Sequence, residues 1–128
     1  MSIIGIGIDI LSIIRIQKIT YKFGEKFAKR ILSNFELEQY KNSTNPVRFL
    51  AKRFSVKESA SKALGIGMQN GVKFNHFELY HDKLGKPYLK FLKTAKTLAK
   101  KLNIHSTHVS ISDEKIYVFT TVIIEIYR

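Results

Sequence analysis

Hydrophobic and polar residues follow two different periods along the chain, which indicates a mixture of helices and strands. Residues 3–10 form a β-branched apolar run that contains two glycines and Asp9, and this run predicts a buried strand. Four predicted helices follow it, at about residues 12–23, 25–32, 33–41 and 45–64.

Local signals mark the ends of these predicted helices. Ser33 followed three residues later by Glu36 is a capping box. Asn45 before Pro46 is typical of a helix start, since the asparagine caps and the proline fits the first helical position. The other predicted cap and stop residues are Ser12, Gly24 and Gly65.

The second half of the chain predicts mainly strands. The expected elements are a strand at 74–81, a turn at 82–86, a strand at 87–93, a helix at 94–102 and a hairpin of 104–112 with 116–127. We therefore expect an α+β fold in which a small, mostly antiparallel sheet packs with helices, in a single domain spanning residues 1–128.

The last predicted strand is apolar on both faces. One face carries Ile116, Val118, Thr120, Val122, Ile124 and Ile126, and the other carries Tyr117, Phe119, Thr121 and Ile123. A strand of this kind needs cover on both sides. Because so small a chain has few elements to spare, we expect another subunit to cover one face.

The chain is strongly basic, since 22 Lys and Arg residues against 10 Asp and Glu residues give a net charge of +12. Such a charge fits nucleic acid, an anionic membrane surface, an acidic protein or a polyphosphorylated small molecule as partner. The absence of cysteine excludes disulfides, thiolate metal sites and cysteine nucleophiles. No apolar run is long enough for a membrane span and no basic leader opens the chain, so we expect a cytoplasmic protein.

The helix predicted at residues 45–64 changes character along one face. Its apolar stripe of Val47, Leu50, Ala51 and Phe54 continues as Glu58, Ser61 and Lys62. A glutamate on a core-facing stripe is costly unless it is paired or binds a cation. Glu58 and Lys62 are also four residues apart, so an ordinary surface ion pair is the alternative interpretation.

A second apolar stripe on this helix, Phe49, Val56, Ala60 and Ala63, predicts that it is packed between two layers. The remaining flanks carry Arg48, Lys52, Arg53 and Lys57. Two interpretations stay open for these four residues, a solvated basic face and an anion-binding surface.

Gly5 and Gly7 do not form a dinucleotide-binding loop, because the third glycine of that motif is missing and no βαβ unit is evident. Glycine inside a strand instead indicates close approach of another backbone or a ligand. Asp9 is either a cap or turn residue or a carboxylate for metal or acid–base chemistry. Asp9 and Glu58 together, among basic residues, suit Mg²⁺ beside a diphosphate.

These segments, taken in order, resemble the holo-[acyl-carrier-protein] synthase family, the small phosphopantetheinyl transferases of bacterial fatty-acid synthesis. Residues 4–10 (IGIGIDI) with Arg15-Ile16 resemble the opening motif, and residues 53–65 (RFSVKESASKALG) resemble the central motif. Residues 84–87 (LGKP) and 108–112 (HVSIS) match two further short motifs. Two positions depart from the family pattern: Ile66 replaces the threonine of Gly-Thr-Gly, and Asp113 replaces a histidine that many members carry.

The resemblance implies a 4′-phosphopantetheinyl transferase fold and transfer of the 4′-phosphopantetheine arm of coenzyme A to a serine of apo-acyl carrier protein, with release of 3′,5′-ADP, in fatty acid biosynthesis. It implies that Asp9 and Glu58 bind Mg²⁺ and that these two carboxylates and Lys62 are catalytic. It also implies a homotrimer with active sites at subunit interfaces. The implied coenzyme A site consists of Arg53, Lys62, Gly65, Gly67, Lys86, Pro87, His108 and Ser110.

An acidic carrier protein gives a specific reason for the positive charge. Arg15, Lys18 and Lys22 fall on one face of the first helix, and the resemblance implies that the carrier binds there; an ordinary solvated face is the alternative. We expect neither nucleic acid nor a membrane as a partner. The competing interpretation is a small basic RNA-binding module of the ribosomal type, which explains charge and size but not the catalytic set.

Overall fold

The computed structural model describes residues 1–127, and the fold is of the predicted α+β class. A single turn of 3-10 helix, Phe74–His76, precedes the second strand. The elements in chain order are β1 (Ser2–Ser12), α1 (Ile13–Phe23), α2 (Glu25–Ile31), α3 (Asn34–Lys41), α4 (Pro46–Leu64), β2 (Phe77–His81), β3 (Pro87–Phe91), α5 (Lys93–Lys101), β4 (Ile104–Asp113) and β5 (Tyr117–Ile126).

The strands form two antiparallel sheets. A three-stranded sheet has the order β1-β5-β4, and β2 with β3 forms a separate hairpin. In the larger sheet Asp9 lies opposite Thr120, and Thr120 lies opposite Ile111 on the next strand. Residues opposite one another share a face of a sheet, so these three side chains point to the same side.

Helix α4 lies directly on β1, and two glycines permit the contact. A methyl group at Gly5 would lie 1.7 Å from the carbonyl oxygen of Ala63, and one at Gly7 would lie 1.8 Å from that of Ser59. Any residue other than glycine would therefore force the helix away from the strand. The prediction that these glycines mark a close backbone approach is confirmed, and the approaching backbone is that of α4.

Helix α4 is also buried on both of its apolar stripes, as predicted. Leu50, Ala51 and Phe54 pack with α1, α2 and Val118 of β5. Val56, Ala60 and Ala63 pack instead with Phe77 and Leu79 of β2 and with Val122 and Ile124 of β5. The helix therefore joins the two hydrophobic clusters and runs through the middle of the molecule.

Two of the predicted helix starts have the predicted caps. The Ser33 hydroxyl accepts from the Glu36 backbone N–H while the Glu36 carboxylate accepts from the Ser33 N–H, which completes the capping box. The Asn45 side chain accepts from the Arg48 N–H at 3.3 Å. Gly65 ends α4 in the left-handed conformation at φ 75°, which explains the glycine there.

Two local predictions were wrong. The side chain of Ser12 makes no capping hydrogen bond, because β1 continues to this residue instead of ending at Ile10. The strand predicted at 74–81 begins only at Phe77, since residues 74–76 form the 3-10 turn. That turn brings the His76 carbonyl within 2.7 Å of the Leu92 N–H.

The face of the larger sheet opposite α4 is apolar and open in the described chain. Ile6, Ile8 and Ile10 of β1 are 63%, 64% and 58% exposed, and Phe119 of β5 is 42% exposed. One face of the last strand, which is apolar on both faces, is therefore covered by this chain and the other is not.

None of the helices within residues 1–127 combines the length and hydrophobicity that crossing a membrane requires.

A buried cluster of charged groups fixes the opposite side of α4. The carboxylate of Glu36 is fully buried and lies 2.5 Å from Lys57 Nζ, which also donates to the Ile31 carbonyl at 2.6 Å. The Leu79 N–H donates to the second carboxylate oxygen at 3.0 Å. The carboxylate thus ties together α3, α4 and β2.

This cluster corrects the prediction that Arg53 and Lys57 lie on exposed flanks of α4. Arg53 is 5% exposed, its guanidinium stacks on Phe49 at 3.6 Å from the ring centre, and its Nε lies 3.5 Å from Glu36. Burial lowers the pKa of Lys57 to about 8, with the Glu36 carboxylate acting in the opposite direction. Lys57 thus remains mostly charged at pH 7, and it is paired.

Removing one partner of this buried pair should destabilise the protein strongly. We expect Glu36→Gln to lower the free energy of unfolding by ~3–5 kcal/mol, because the Lys57 ammonium stays buried without its counter-charge. Urea denaturation at one fixed protein concentration measures the loss. The double variant Glu36→Gln, Lys57→Met should lose less than the sum of the two single variants.

Lys52→Met is the matched control for Lys57→Met. Lys52 lies on the same helix, and its ion pair with Asp113, with Nζ 3.5 Å from Oδ2, is partly exposed. We expect this change to cost less than about 1 kcal/mol. Equal losses in the Lys52 and Lys57 variants would contradict the stabilising role of the buried pair.

Candidate active site

Asp9 lies on the side of β1 that faces α4, three residues before the strand ends. It is therefore neither a cap nor a turn residue, and that alternative was wrong. Its Oδ2 accepts a hydrogen bond from the Ser55 hydroxyl at 2.8 Å, and its side chain is 14% exposed. One carboxylate oxygen is thus held by the protein, while the other faces the open end of the β1–α4 contact.

Lys62 comes to the same place from the last turn of α4. Its Nζ donates to the Ile8 carbonyl at 2.9 Å and lies 3.4 Å from Asp9 Oδ1. Among residues 1–127, the acidic partner of Lys62 within ion-pair distance is Asp9 and not Glu58. The ordinary Glu58–Lys62 surface pair, the alternative drawn from the sequence, is therefore not formed.

Glu58 is the second carboxylate of this site, and it is half-buried on the adjacent turn of α4. Burial raises its pKa, the negative charge of Asp9 raises it further, and Lys62 and Arg15 act in the opposite direction. The charge of Asp9 thus opposes the ionisation of Glu58. That these two acids share a cation stays a prediction.

The donor set of the site fits a hard divalent cation. Asp9 and Glu58 supply oxygen ligands only, and a cation between them would relieve their mutual repulsion and the cost of burying Glu58. No cluster of three or more His, Cys, Asp or Glu residues occurs in the part of the chain that the structure describes. Two carboxylates leave most coordination positions to water and substrate oxygens, which is how Mg²⁺ binds beside phosphates.

A cavity of about 670 Å³ opens beside Glu58. Its floor is apolar, and Phe27, Phe54 and Phe74 contribute to it. Three cations, Lys29, Arg30 and Lys73, also line it. The space beside Glu58 is thus large enough for part of a substrate, and basic side chains line part of it.

Gly65 and Gly67, predicted to contact phosphates, lie just beyond α4. Their φ angles are 75° and 61°, which favour glycine at both positions. The Gly65 N–H is already bonded to the carbonyls of Ser61 and Lys62, each at 3.1 Å. The Gly65 N–H is therefore used in ending the helix, and binding of coenzyme A by Gly65 and Gly67 stays a prediction.

Lys86, Pro87, His108 and Ser110, also predicted to bind coenzyme A, lie elsewhere in the chain. His108 and Ser110 are opposite Ile123 and Thr121 in the sheet, and they point away from α4. Strand β4 is separated from β1 by β5, a distance of about 10 Å. Asp9 and the two β4 residues therefore occupy different strands and opposite faces of the larger sheet, and Pro87 belongs to the separate β2–β3 hairpin.

Two smaller cavities adjoin that second group. One of about 480 Å³ is lined by Lys86, Pro87 and His108, and one of about 270 Å³ is lined by Pro87 and Ser110. The His108 ring nitrogen Nε2 lies 2.5 Å from a Glu125 carboxylate oxygen. The predicted coenzyme A residues of this group thus share a surface of their own.

Arg53 lies apart from both groups. It is about 140° around α4 from Glu58, at about 100° per residue, and it belongs to the buried Glu36 cluster. Asp113, which replaces the histidine of many family members, pairs with Arg48 at 2.6 Å. Its carboxylate thus joins the end of β4 to the first turn of α4.

The predicted carrier-binding residues Arg15, Lys18 and Lys22 are all exposed on α1. Arg15 is also close enough to Glu58 to lower its pKa. The basic face of α1 therefore begins beside the two carboxylates and continues away from them.

Sequence reasoning missed the hydroxyl groups beneath Asp9. Ser55 and Ser59 on α4 and Thr120 on β5 are buried and bonded to one another. The available signal was the spacing of Ser55 and Ser59, which puts two small polar side chains on one helical face. That signal is weak, because serine at this spacing is common on exposed faces as well.

Comparisons with known proteins agree over nearly the whole length. Residues 5–121 match the model of the 4'-phosphopantetheinyl transferase superfamily. The holo-[acyl-carrier-protein] synthase of Buchnera aphidicola subsp. Baizongia pistaciae (strain Bp) is 61% identical over 127 residues, which is 98% of this chain and 99% of the relative.

Two solved structures are similar as well. The crystal structure of holo-[acyl-carrier-protein] synthase from Neisseria meningitidis has a TM-score of 0.93 and 39% identity, covering 97% of this chain and 99% of that one. That from Bacillus anthracis str. Ames, in complex with CoA (3',5'-ADP), has a TM-score of 0.81 and 34% identity, covering 98% of both chains. The resemblance drawn from the motifs is confirmed, and the chain belongs to the holo-[acyl-carrier-protein] synthase family of the 4′-phosphopantetheinyl transferase superfamily.

Proposed function

We propose that this chain transfers the 4′-phosphopantetheine arm of coenzyme A to a serine of apo-acyl carrier protein, in a Mg²⁺-dependent reaction that releases 3′,5′-ADP. The observation that carries the proposal is Lys62 Nζ at 3.4 Å from Asp9 Oδ1, with Glu58 one turn before Lys62 on α4 and its pKa raised by burial and by the charge of Asp9. Two carboxylates and an ammonium, with a cavity beside Glu58, are suited to a diphosphate with a divalent cation. The Bacillus anthracis relative in complex with CoA (3',5'-ADP) supports the choice of substrate.

Asp9 and Glu58 would hold the cation. Mg²⁺ bound there supplies positive charge to the diphosphate oxygens, on which negative charge develops during phosphoryl transfer. Lys62 Nζ, on a side chain that is 53% exposed, can turn from the Ile8 carbonyl to the leaving phosphate. Catalysis on this account is mostly positioning and electrostatic stabilisation.

The bond changes are those of a single displacement. The oxygen of the carrier serine attacks the β-phosphorus of coenzyme A, and the bond from that phosphorus to the bridging oxygen breaks. The bridging oxygen leaves with 3′,5′-ADP, with Lys62 stabilising its charge. The serine proton would go to a water at the site or to a nearby carboxylate such as Glu58, whose pKa is raised by burial.

The remaining coenzyme A residues would come from a neighbouring subunit. His108 and Ser110 point away from Asp9 in one chain, Lys86 and Pro87 belong to the separate β2–β3 hairpin, and Arg53 lies in the buried Glu36 cluster. The open apolar face of the sheet, with Ile6 and Ile8, is continuous with the β4 residues. A homotrimer that buries this face would put the β4 residues of one subunit at the carboxylates of the next.

The basic face of α1 would bind the acidic carrier. Arg15 lies beside Glu58, and Lys18 and Lys22 extend the positive charge along the helix. Opposite charges across an interface mainly raise the rate of association and fix orientation.

The proposal includes a role in fatty acid biosynthesis, a cytoplasmic location and a single domain, with no nucleic acid or membrane partner.

Loss of either carboxylate charge should abolish transfer. Asp9→Asn and Glu58→Gln keep the side-chain shape, and we expect each to lower turnover by at least about a hundredfold, because the cation loses a charged ligand. Mass spectrometry of apo-carrier incubated with enzyme, coenzyme A and Mg²⁺ measures the transfer. Glu38→Gln is the control, since that side chain is 72% exposed and its ion pair is with Lys41, at 3.8 Å on the surface. Full Mg²⁺-dependent activity in Asp9→Asn would remove the metal assignment.

Reversing the charge of α1 should weaken carrier binding and not coenzyme A binding. We expect Lys18→Glu with Lys22→Glu to raise the KM for carrier roughly three- to tenfold and to flatten its salt dependence. These residues avoid Arg15, which also acts on Glu58. Lys96→Glu with Lys100→Glu on α5 makes the same change in net charge elsewhere. Equal effects from both pairs would mean that net charge, not this face, attracts the carrier.

A charge on the open sheet face should dissociate the proposed trimer. We expect Ile6→Asp to reduce the mass in solution from that of three chains to the 14.8 kDa of one, because a carboxylate would be buried in an apolar interface. Sedimentation velocity measures the mass. Leu84→Asp is the control, since Leu84 is 96% exposed in the β2–β3 turn. A parent protein that sediments as one chain would refute the assembly.

A further inference from the structure

The two carboxylate oxygens of Asp9 have different partners. Oδ2 points into the β1–α4 contact and accepts from the Ser55 hydroxyl at 2.8 Å. Oδ1 points to the open side, where Lys62 Nζ lies 3.4 Å away. The orientation of the carboxylate is therefore set by a single side-chain donor on its buried side.

Ser55 is itself held by two further hydroxyl groups. Its Oγ lies 2.8 Å from Thr120 Oγ1, which lies 2.7 Å from Ser59 Oγ. Ser55 and Ser59 are 0% exposed and Thr120 is 1% exposed. Because water does not reach these groups, each hydroxyl depends on its neighbours for hydrogen bonds.

The direction of these hydrogen bonds follows from counting protons. An ionised carboxylate only accepts, so the one proton of Ser55 goes to Asp9. The Thr120 hydroxyl then donates to Ser55, either to Oγ at 2.8 Å or to the backbone carbonyl at 2.9 Å. Ser59 donates to Thr120, to Oγ1 at 2.7 Å or to the carbonyl at 3.2 Å. In each of these arrangements Ser59 donates to Thr120 and Thr120 donates to Ser55, and the Ser55 proton goes to Asp9.

We propose that Ser55, held by Thr120 and Ser59, is a positioning residue that fixes the rotation of the Asp9 carboxylate and so presents Oδ1 to the bound cation. The inference rests on the proposed function, since it concerns the same site. It adds a polar support that reaches from Asp9 through α4 to β5. Hydrogen bonds to metal-binding carboxylates act in this way, and their loss typically weakens metal binding 10–100-fold.

Loss of the Ser55 hydroxyl would leave Oδ2 buried without a donor. The carboxylate would then gain by rotating, or by bringing Oδ2 towards the Lys62 ammonium, and either change removes Oδ1 from its position. The fold should change little, because Ser55→Ala removes one oxygen from a helix that is packed on both stripes. Cation affinity, and not stability, is therefore the sensitive measurement.

Mn²⁺ binding to the full chain, with coenzyme A present and carrier absent, tests the proposal without turnover. Electron paramagnetic resonance of free Mn²⁺ gives the affinity, and Mn²⁺ stands in for Mg²⁺ at an all-oxygen site. We expect Ser55→Ala to bind Mn²⁺ 10–100-fold more weakly with its Tm nearly unchanged. Ser61→Ala is the matched control, since this buried serine of the same helix donates only to the Glu58 carbonyl, at 3.1 Å.

Variants at Thr120 separate positioning from packing. Thr120→Val keeps the volume and removes the hydroxyl, whereas Thr120→Ser keeps the hydroxyl and loses a methyl group. A positioning role predicts weaker Mn²⁺ binding in Thr120→Val than in Thr120→Ser, and a packing role predicts the reverse order. This pair also decides the question should Ser55→Ala fail to fold.

Two outcomes overturn the proposal. If the parent protein binds Mn²⁺ and the Ser55→Ala and Thr120→Val variants bind it equally well, the hydroxyl chain has no positioning role and the proposed function stands. If the parent protein itself binds no Mn²⁺ in the presence of coenzyme A, the proposed function fails together with the positioning role.

Discussion

The direct contact of the α4 backbone with β1 is the constraint on which the rest of the molecule depends. Gly5 and Gly7 permit it, because a side chain at either position would overlap a carbonyl oxygen of the helix. At so short a separation the short side chains of α4 reach the strand, and a serine hydroxyl suffices to hold Asp9. A bulkier strand would set the helix further away, and Glu58 would lose its electrostatic contact with Asp9. The two glycines are thus structural residues whose effect is the geometry of the site.

The charged residues of α4 divide into a buried set, whose charge is balanced inside the protein, and a half-buried set at the proposed site. Lys57 is enclosed, and its charge is balanced by Glu36 inside the protein. Glu58, the next residue, is turned about 100° from it, and burial and the charge of Asp9 raise its pKa against the opposing effect of Lys62 and Arg15. A buried pair that is satisfied contributes to a defined structure, whereas a half-buried pair of like charges stores unfavourable energy that a cation relieves. The pairing of Lys57 with Glu36 therefore fixes the rotation of α4 about its axis, and that rotation directs Glu58 towards Asp9.

Local features of the chain were predictable, and most of the specific contacts between distant residues were not. The capping box at Ser33 and the glycine stop at Gly65 follow from neighbouring residues, and their prediction was confirmed. The burial of Lys57 does not follow from α4, because its counter-charge is on α3 and its cover is on β2. The carboxylates of the site were found because an acid at the end of an apolar stripe is unusual. The hydroxyl groups beneath Asp9 were missed because buried and exposed serines look the same in a sequence.

On the proposed function, the site of one chain is incomplete for the same reason that its sheet is uncovered. The carboxylates lie on the face of the sheet that α4 covers, and His108 and Ser110 lie on the open face. A single coenzyme A molecule cannot contact both groups of one chain through a sheet of packed strands. A second subunit that covers Ile6 and Ile8 would bring its own β4 residues to the open end of the β1–α4 contact, where Asp9 lies. Burial of the apolar face and completion of the site would then be one event, and the repulsion among chains of charge +12 would be offset by the polyanion bound between them.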